Sequence, residues 1–563
     1  MAIQSNFPAI KPSLNLDFAN TEALDPRITF TRASTATYYD GVTTAKAEEN
    51  LLLRSQDYSA TWTVTNLTPV TGKTAPDTTS TATEFTATAA NAVLTQGFTA
   101  IAGSYTFSVF LRRVTGSGDI QIAADNGTWT TKVITGTWAR YDVTQTVAAG
   151  SKTAGVRVVT DTDAIEVWGA QLEQRSAVTA YTPTTTQPIT NYVPVLLTAA
   201  TNAPRFDHNP TTGESLGLLI EEQRTNLVTY SEDLSNAVWT TKTNMSVVAN
   251  YAIAPDGTLT ADQIIENTSA GEHGLQAAVV SYTSGTSYTF SCYAKSAGRS
   301  ILRILLPLAA YTENKYAFFD VSSGTVTSTS GTGLTTSITN VGNGWYRCSI
   351  TATATVTTTT VAAQLRLVST GTTASYTGDG YSGIYIWGAQ LEAFAFPTSY
   401  IATVAATVTR SADAASMTGT NFSSWYNPSE GTLFAESVTI NPSSVFSRVA
   451  SIENASQSSS FQLARNGTNS RGFGAGVSLD QGSNTFLVDT ITKQALAGKI
   501  NDFALSTNGS AVATDTSTDP VLAVVALGIG ASTFPSVFLN GHIRKIAYYP
   551  LRLTDAQLQA LTG

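Results

Sequence analysis

Apolar and polar positions alternate with a period of two along much of this chain. From Tyr288 to Lys295, the residues Tyr288, Phe290, Cys292 and Ala294 share one parity, while Thr289, Ser291, Tyr293 and Lys295 take the other. Successive side chains of an extended strand point to opposite faces, so the pattern predicts a strand whose first set faces a core. Tyr346, Cys348 and Ile350 repeat that parity. Both cysteines therefore read as core fillers and as free thiols, bonded only if the two strands bring them face to face. Asp40-Gly41, Asn126-Gly127, Asp256-Gly257 and Asn343-Gly344 punctuate the alternation as hairpin turns do. No heptad or sustained helical period occurs. The expectation is an all-β chain of sandwich or jelly-roll type. A single short helix closes it, with Thr554 as cap, Gln557 completing a capping box, and Leu558 and Leu561 turned inward.

Four blocks occur twice in the same order, which predicts two copies of one module. Asn50-Leu51-Leu52 with Ser55, Asp57 and Trp62 matches Asn226-Leu227-Val228 with Ser231, Asp233 and Trp239. Ala75-Pro76-Asp77 matches Ala254-Pro255-Asp256, and Tyr105 to Ser108 matches Tyr288 to Ser291. The longest identity is Trp168-Gly169-Ala170-Gln171-Leu172-Glu173 against Trp387-Gly388-Ala389-Gln390-Leu391-Glu392, followed by Tyr181 and Tyr400 at equal spacing. Trp138-Ala139-Arg140 aligns with Trp345-Tyr346-Arg347, but the second copy carries an insertion before it, including Tyr311 to Asp320 and a Ser/Thr/Gly stretch, that reads as extra strands or a long loop. A third module starts near Gly431, with turns at Asn466-Gly467 and Asn508-Gly509. Phe30-Thr31-Arg32-Ala33 and Val408-Thr409-Arg410-Ser411 resemble each other, which predicts a connecting element that recurs at module junctions.

Composition narrows the function. At 563 residues the chain is too long for one core. Charged residues are 13% of it, about half the ordinary share, and Thr and Val suit pleated strands. A net charge of −9 without any Lys/Arg cluster argues against a nucleic-acid partner. No basic start precedes an apolar run and no stretch reaches a membrane span, so membrane insertion is not expected and folding in a cytoplasm is.

Catalytic chemistry has few candidates. His208, His273 and His542 read as belonging to different modules and lack metal-ligand spacing. Glu221-Glu222 is an adjacent acidic pair, but neighbouring strand residues point to opposite faces, which favours a connector over a glycosidase pair. Glu173 and Glu392 repeat, and a core hydrogen-bond network is favoured for them over a cation site. Six of the eight tryptophans fall in matched pairs (Trp62/Trp239, Trp138/Trp345, Trp168/Trp387), which serves a shared fold. The unmatched Trp129 and Trp425, together with Tyr311 in the insertion, are the candidate carbohydrate-stacking residues. No catalytic or metal residue is expected, and the protein reads as no enzyme.

The series Leu16-Asp17-Phe18, Asp25-Pro26-Arg27, Phe30-Thr31-Arg32-Ala33-Ser34, Glu221 to Leu227 and Trp387 to Glu392 resembles phage and phage-derived head-spike or tail-fibre proteins, over most of the chain. The two copies are similar in layout to carbohydrate-binding jelly rolls, and Asn540 to Leu561 resembles concanavalin-like or laminin-G-like sandwiches. In the jelly-roll family an acidic calcium ligand often follows the aromatic or aliphatic residue of the opening strand. Here those places hold Ser59 and Ser235, after Tyr58 and Leu234, so the motif does not support calcium and no cofactor is expected. The implied organisation is an N-terminal attachment segment (1–49), jelly-roll module 1 (50–183), a connector (184–225), jelly-roll module 2 (226–404), a second connector (405–430) and a concanavalin-like module (431–563). The implied role is a virion spike or fibre that binds host-surface polysaccharide without catalysis. Its partners would be other virion proteins and host glycan, with homotrimerisation closing its strand edges. Structural decoration of a capsid or tail, and polysaccharide depolymerisation, are the alternatives.

Overall fold

The computed structural model describes residues 7–440, 446–454, 460–474, 477–482, 485–517, 524–532 and 537–563; residues 1–6 of the expected attachment segment lie outside them. The described chain is all-β, a set of antiparallel sandwiches with a few short helices.

Module 1 closes two five-stranded sheets over one core. The first sheet holds Thr63–Thr65, Ala92–Ala100, Ile120–Ala123, Thr130–Lys132 and Gly150–Val158. The second holds Leu67–Lys73, Ala82–Ala87, Gly103–Thr115, Ala139–Val147 and Ala164–Glu173. Leu94, Ile122 and Val156 of the one meet Phe85, Phe107, Val109 and Leu172 of the other. Module 2 repeats the plan with two six-stranded sheets. The insertion is strands: Tyr316–Asp320 and Thr325–Ser330 extend one sheet, and Thr335–Gly342 extends the other. Cys292 and Cys348 lie directly opposite each other across an antiparallel pair. Both are buried and free, and burial pushes the Cys292 thiol up to about 12.

The longest repeated motif is explained by the fold. Trp168 Nε1 donates to Thr81 Oγ1 at 2.9 Å, and Trp387 Nε1 to Thr260 Oγ1 at 3.1 Å. Gly169 and Gly388 sit at φ +63 and +62, where the strand register slips, and a Cβ there would press on Phe110 or Tyr293 at 3.1 and 2.9 Å. Glu173 and Glu392 are buried and accept the backbone N–H and the hydroxyl of Thr179 and Thr398 respectively. Asn50 and Asn226 donate to the carbonyls of Ala170 and Ala389, which ties each opening strand to this motif.

The third sandwich is not confined to residues 431–563. Its eight-stranded sheet centres on Glu430–Thr439 and Gly541–Tyr549, and it takes in Leu14–Asp17, Phe206–His208 and Ser215–Ile220. Its seven-stranded sheet begins with Thr29–Thr31 and Ala414–Thr418. Leu14, Leu16, Phe18, Leu218, Ile220 and Met417 are part of its core. The N-terminal segment and both connectors thus supply strands, because a strand edge is satisfied by any extended segment that reaches it. Modules 1 and 2 are excursions from this sandwich, each on an antiparallel ribbon. Ala36–Asn50 with Ile189–Ala199 carries module 1, and Arg224–Asn226 with Val408–Arg410 carries module 2. The closing helix Asp555–Thr562 has the expected Thr554–Gln557 capping box and buries Leu558.

Where the excursions leave and rejoin, Arg32, Arg205, Glu221, Arg410 and Asp413 form a wholly buried ionic cluster. Asp413 takes Arg32 Nη1 at 3.0 Å and Arg205 Nη2 at 2.6 Å. Glu221 takes Arg205 Nη1 at 2.8 Å, Arg410 Nη2 at 3.5 Å and the Ser399 hydroxyl at 2.6 Å. The two similar connector motifs place their arginines, Arg32 and Arg410, on these same two carboxylates.

Candidate functional site

Of the three expected stacking residues, two are core. Tyr311 is 1% exposed, at the end of the short helix Leu308–Tyr311, with its ring against Tyr282 at 6.0 Å. Trp425 is 4% exposed, donates to the Asn421 carbonyl and packs on Phe422 and Tyr548. Neither ring offers a face to a sugar. The insertion and the second connector are structural parts of their sandwiches, so their unmatched aromatics fill unmatched core volume. Trp129 is different: it is half-exposed, with the Arg157 guanidinium 4.8 Å from its ring centre.

Arg157 marks the centre of an outward face. In the first sheet of module 1, Val156 and Val158 enter the core, so Arg157 between them points away from it. Its cross-strand neighbours are Gln121 and Val93, and its Nε donates to Gln121 Oε1 at 2.7 Å. Gln121 also donates to Thr131 Oγ1 at 3.1 Å. The face therefore combines a ring, a guanidinium, an amide and a hydroxyl.

The corresponding sheet of module 2 builds the same face with more charge. Leu365 and Leu367 enter the core and Arg366 points out; on the next strand Leu302 and Ile304 do so around Arg303. Arg303 and Arg366 are direct cross-strand partners. Arg303 lies 4.2 Å from the Tyr316 ring centre, and Arg366 Nη2 donates to Gln364 Oε1 at 2.7 Å. Glu272 reaches both guanidiniums. Gly274 neighbours Arg366 on the far side, and a Cβ there would fall 2.4 Å from the Leu365 carbonyl oxygen and 2.9 Å from Arg366 Cγ, so the glycine makes room for the neighbouring strand's backbone and for the arginine stem.

Unmatched aromatics do not point to these arginines, which stand at places common to both modules. By place in the sheet, Ile120-Gln121-Ile122 corresponds to Leu302-Arg303-Ile304, and Val156-Arg157-Val158 to Leu365-Arg366-Leu367. A polar residue held outward by two apolar neighbours, at one place in both copies, was the available signal.

The remaining candidates lie elsewhere. His208 and His542 belong to one sheet: His542 Nε2 stands 2.9 Å from Asp207 and His208 Nε2 stands 3.1 Å from Glu22. His273 is buried, with Nδ1 at 2.7 Å from the Asn244 carbonyl. Glu221 is in the ionic cluster, whereas Glu222 engages Arg224 and Asn540. Ser59 and Ser235 each donate a hydroxyl hydrogen bond to the carboxylate two residues before, Asp57 or Asp233. Among the described residues no group of three or more His, Cys, Asp or Glu side chains has the arrangement to hold a metal ion.

The sequence matches no protein-family model and no curated protein. Among solved structures the chain is similar to the CBM40 module of a Ruminococcus gnavus sialidase, at 17% identity and a TM-score of 0.22, over 25% of this chain and 88% of that one. It is similar to a tandem CBM22 domain of Paenibacillus barcinonensis at 14% identity and a TM-score of 0.20, over 62% and 98%. Mouse laminin α1 domains LG4-5 match at 9% identity and a TM-score of 0.16, over 50% and 85%. At such scores the architecture rests on the sheets described above.

Proposed function

We propose that this protein binds glycan without cleaving it, through the outward faces around Arg157 in module 1 and Arg303 and Arg366 in module 2. The observation that carries the reading is that the corresponding outward sheet face of each module holds a guanidinium at one shared position, Arg157 or Arg366, and gathers an amide and an aromatic ring around it, in two modules whose other repeated residues are explained by folding. Rings stack on the apolar face of a sugar, and guanidinium and amide groups satisfy its hydroxyls. Binding without cleavage suits these faces: in module 2 the carboxylate at hand, Glu272, is engaged by two guanidiniums.

The resemblance to head-spike and tail-fibre proteins extends the proposal to a virion protein that attaches the particle to host-surface polysaccharide, with trimerisation and attachment to other virion proteins. The buried ionic cluster and the two ribbons support such a role, since they hold the modules on one body for display. The test is retention of the full-length protein on host-surface polysaccharide, with a reducing-end assay alongside. Retention without release of reducing ends is expected. Release would establish a depolymerase, and absence of retention would leave the decoration role.

A further inference from the structure

We infer that the module 2 face selects an anionic saccharide whose charge is a carboxylate, such as a uronic acid, held jointly by Arg303 and Arg366; this rests on the glycan-binding reading above. Two guanidiniums directly opposite each other on neighbouring strands repel and destabilise a sheet unless an anion stands between them. The anion present is Glu272, and its carboxylate straddles the pair, with Oε1 at 3.2 Å from Arg303 Nη1 and Oε2 against Arg366 Nη1. That geometry is the one a ligand carboxylate would use, because a planar guanidinium matches a carboxylate edge.

Glu272 does not saturate the site. Two positive charges face one negative charge, so one further carboxylate brings the face to neutrality. The arginine side chains are well seated, 14% and 19% exposed, whereas that of Glu272 is 40% exposed and free to give way. Arg303 Nε is buried and has no hydrogen-bond partner among the described residues. Burial without full compensation also lowers the Arg303 pKa, against the opposing pull of Glu272. Tyr316 beside Arg303 and Gln364 beside Arg366 flank the pair with a ring for the sugar plane and an amide for its hydroxyls. The chain carries a net charge of −9, so this pair is a local excess of positive charge on an acidic chain. Module 1 has Gln121 where module 2 has Arg303, leaving one arginine and no such preference.

The experiment uses the full-length protein on an array that pairs acidic polysaccharides, such as polygalacturonate and alginate, with their carboxyl-reduced forms. Arg303→Gln, Arg366→Gln and Glu272→Gln are compared with the parent, with unchanged thermal midpoints confirming the fold. Retention of an acidic member over its reduced form is expected, weakened about ten- to hundredfold by either arginine substitution, as for a lost charged hydrogen bond. The preference should also fade as salt rises toward about 1 M, where the Debye length falls to about 3 Å. Glu272→Gln should strengthen acidic binding, an effect that a merely structural Glu272 would not produce. Equal retention of acidic and reduced partners, lost in neither arginine variant, overturns the carboxylate inference and leaves glycan binding standing. Retention of no polysaccharide by the folded protein overturns the glycan-binding reading itself.

Discussion

Replacing Asp413 by asparagine tests whether the buried ionic cluster locks the body that carries the modules. Asp413 accepts from Arg32 at 3.0 Å, from Arg205 at 2.6 Å and from the Glu221 backbone N–H at 2.9 Å. The cluster holds three arginines and two carboxylates, so the substitution raises its uncompensated charge from one to two with almost no change in volume. Breaking a buried pair by removing one partner costs about 3–5 kcal/mol. Asparagine can still accept one of these hydrogen bonds, so about 3 kcal/mol is expected. Arg32 follows the strand Thr29–Thr31, Glu221 follows Ser215–Ile220 and Asp413 precedes Ala414–Thr418, so the loss falls on the third sandwich. For a body of that size 1 kcal/mol corresponds to about 2–4 °C, which predicts a fall of about 6–12 °C in its calorimetric transition. Module 1 contributes no residue to the cluster, and its transition should stay. A fall below about 3 °C, or an equal fall in the module 1 transition, would refute the reasoning. Acid gives an independent check. Burial alone would raise the Glu221 carboxyl, but Arg410, Arg205 and the Ser399 hydrogen bonds outweigh it and hold it well below the usual carboxylate range. A depressed carboxyl contributes its full stability above its unfolded pKa and loses it progressively as pH falls below that value through the folded one. The third sandwich should therefore keep this contribution through mild acid and lose it under strongly acidic conditions.

Three further outcomes are expected. Trp129→Ala should weaken glycan retention while leaving every calorimetric transition in place, whereas Trp425→Ala should cost the third sandwich about 3–5 kcal/mol through the cavity it opens; the reverse result would restore Trp425 as a contact residue. Asp262 is pushed up to about 6 by burial, against hydrogen bonds from Asn250 and Leu234, so its stabilising contribution is complete below the unfolded pKa and is lost as pH rises through about 6. The module 2 transition of the parent, compared with that of Asp262→Asn, should accordingly decline by on the order of 2 kcal/mol between about pH 4 and 7, and parallel curves would contradict this. Gly388→Ala should destabilise module 2 by about 1–3 kcal/mol, since φ +62 and the Tyr293 ring both resist a Cβ; circular-dichroism melts of the variant would show it.

The sequence by itself determined the all-β class, the two related modules, the closing helix and the structural meaning of the repeated tryptophans. Those features rest on interactions short in sequence: the two-residue period of a strand, the turn residues that reach positive φ, and a cap bonded three residues along. Tertiary structure alone decided that Leu14–Asp17, Thr29–Thr31 and Ser215–Ile220 belong to a sandwich whose centre lies hundreds of residues away. A strand edge accepts any extended partner, so nothing local in those segments names the one it will find. The same limit governed the site. Tyr311 and Trp425 look available until neighbouring strands bury them, and an outward arginine looks like an ordinary surface charge until pairing sets Arg303 against Arg366, with Glu272 and Tyr316 at their sides. A binding face is a property of adjacent strands, and adjacency is decided by the fold.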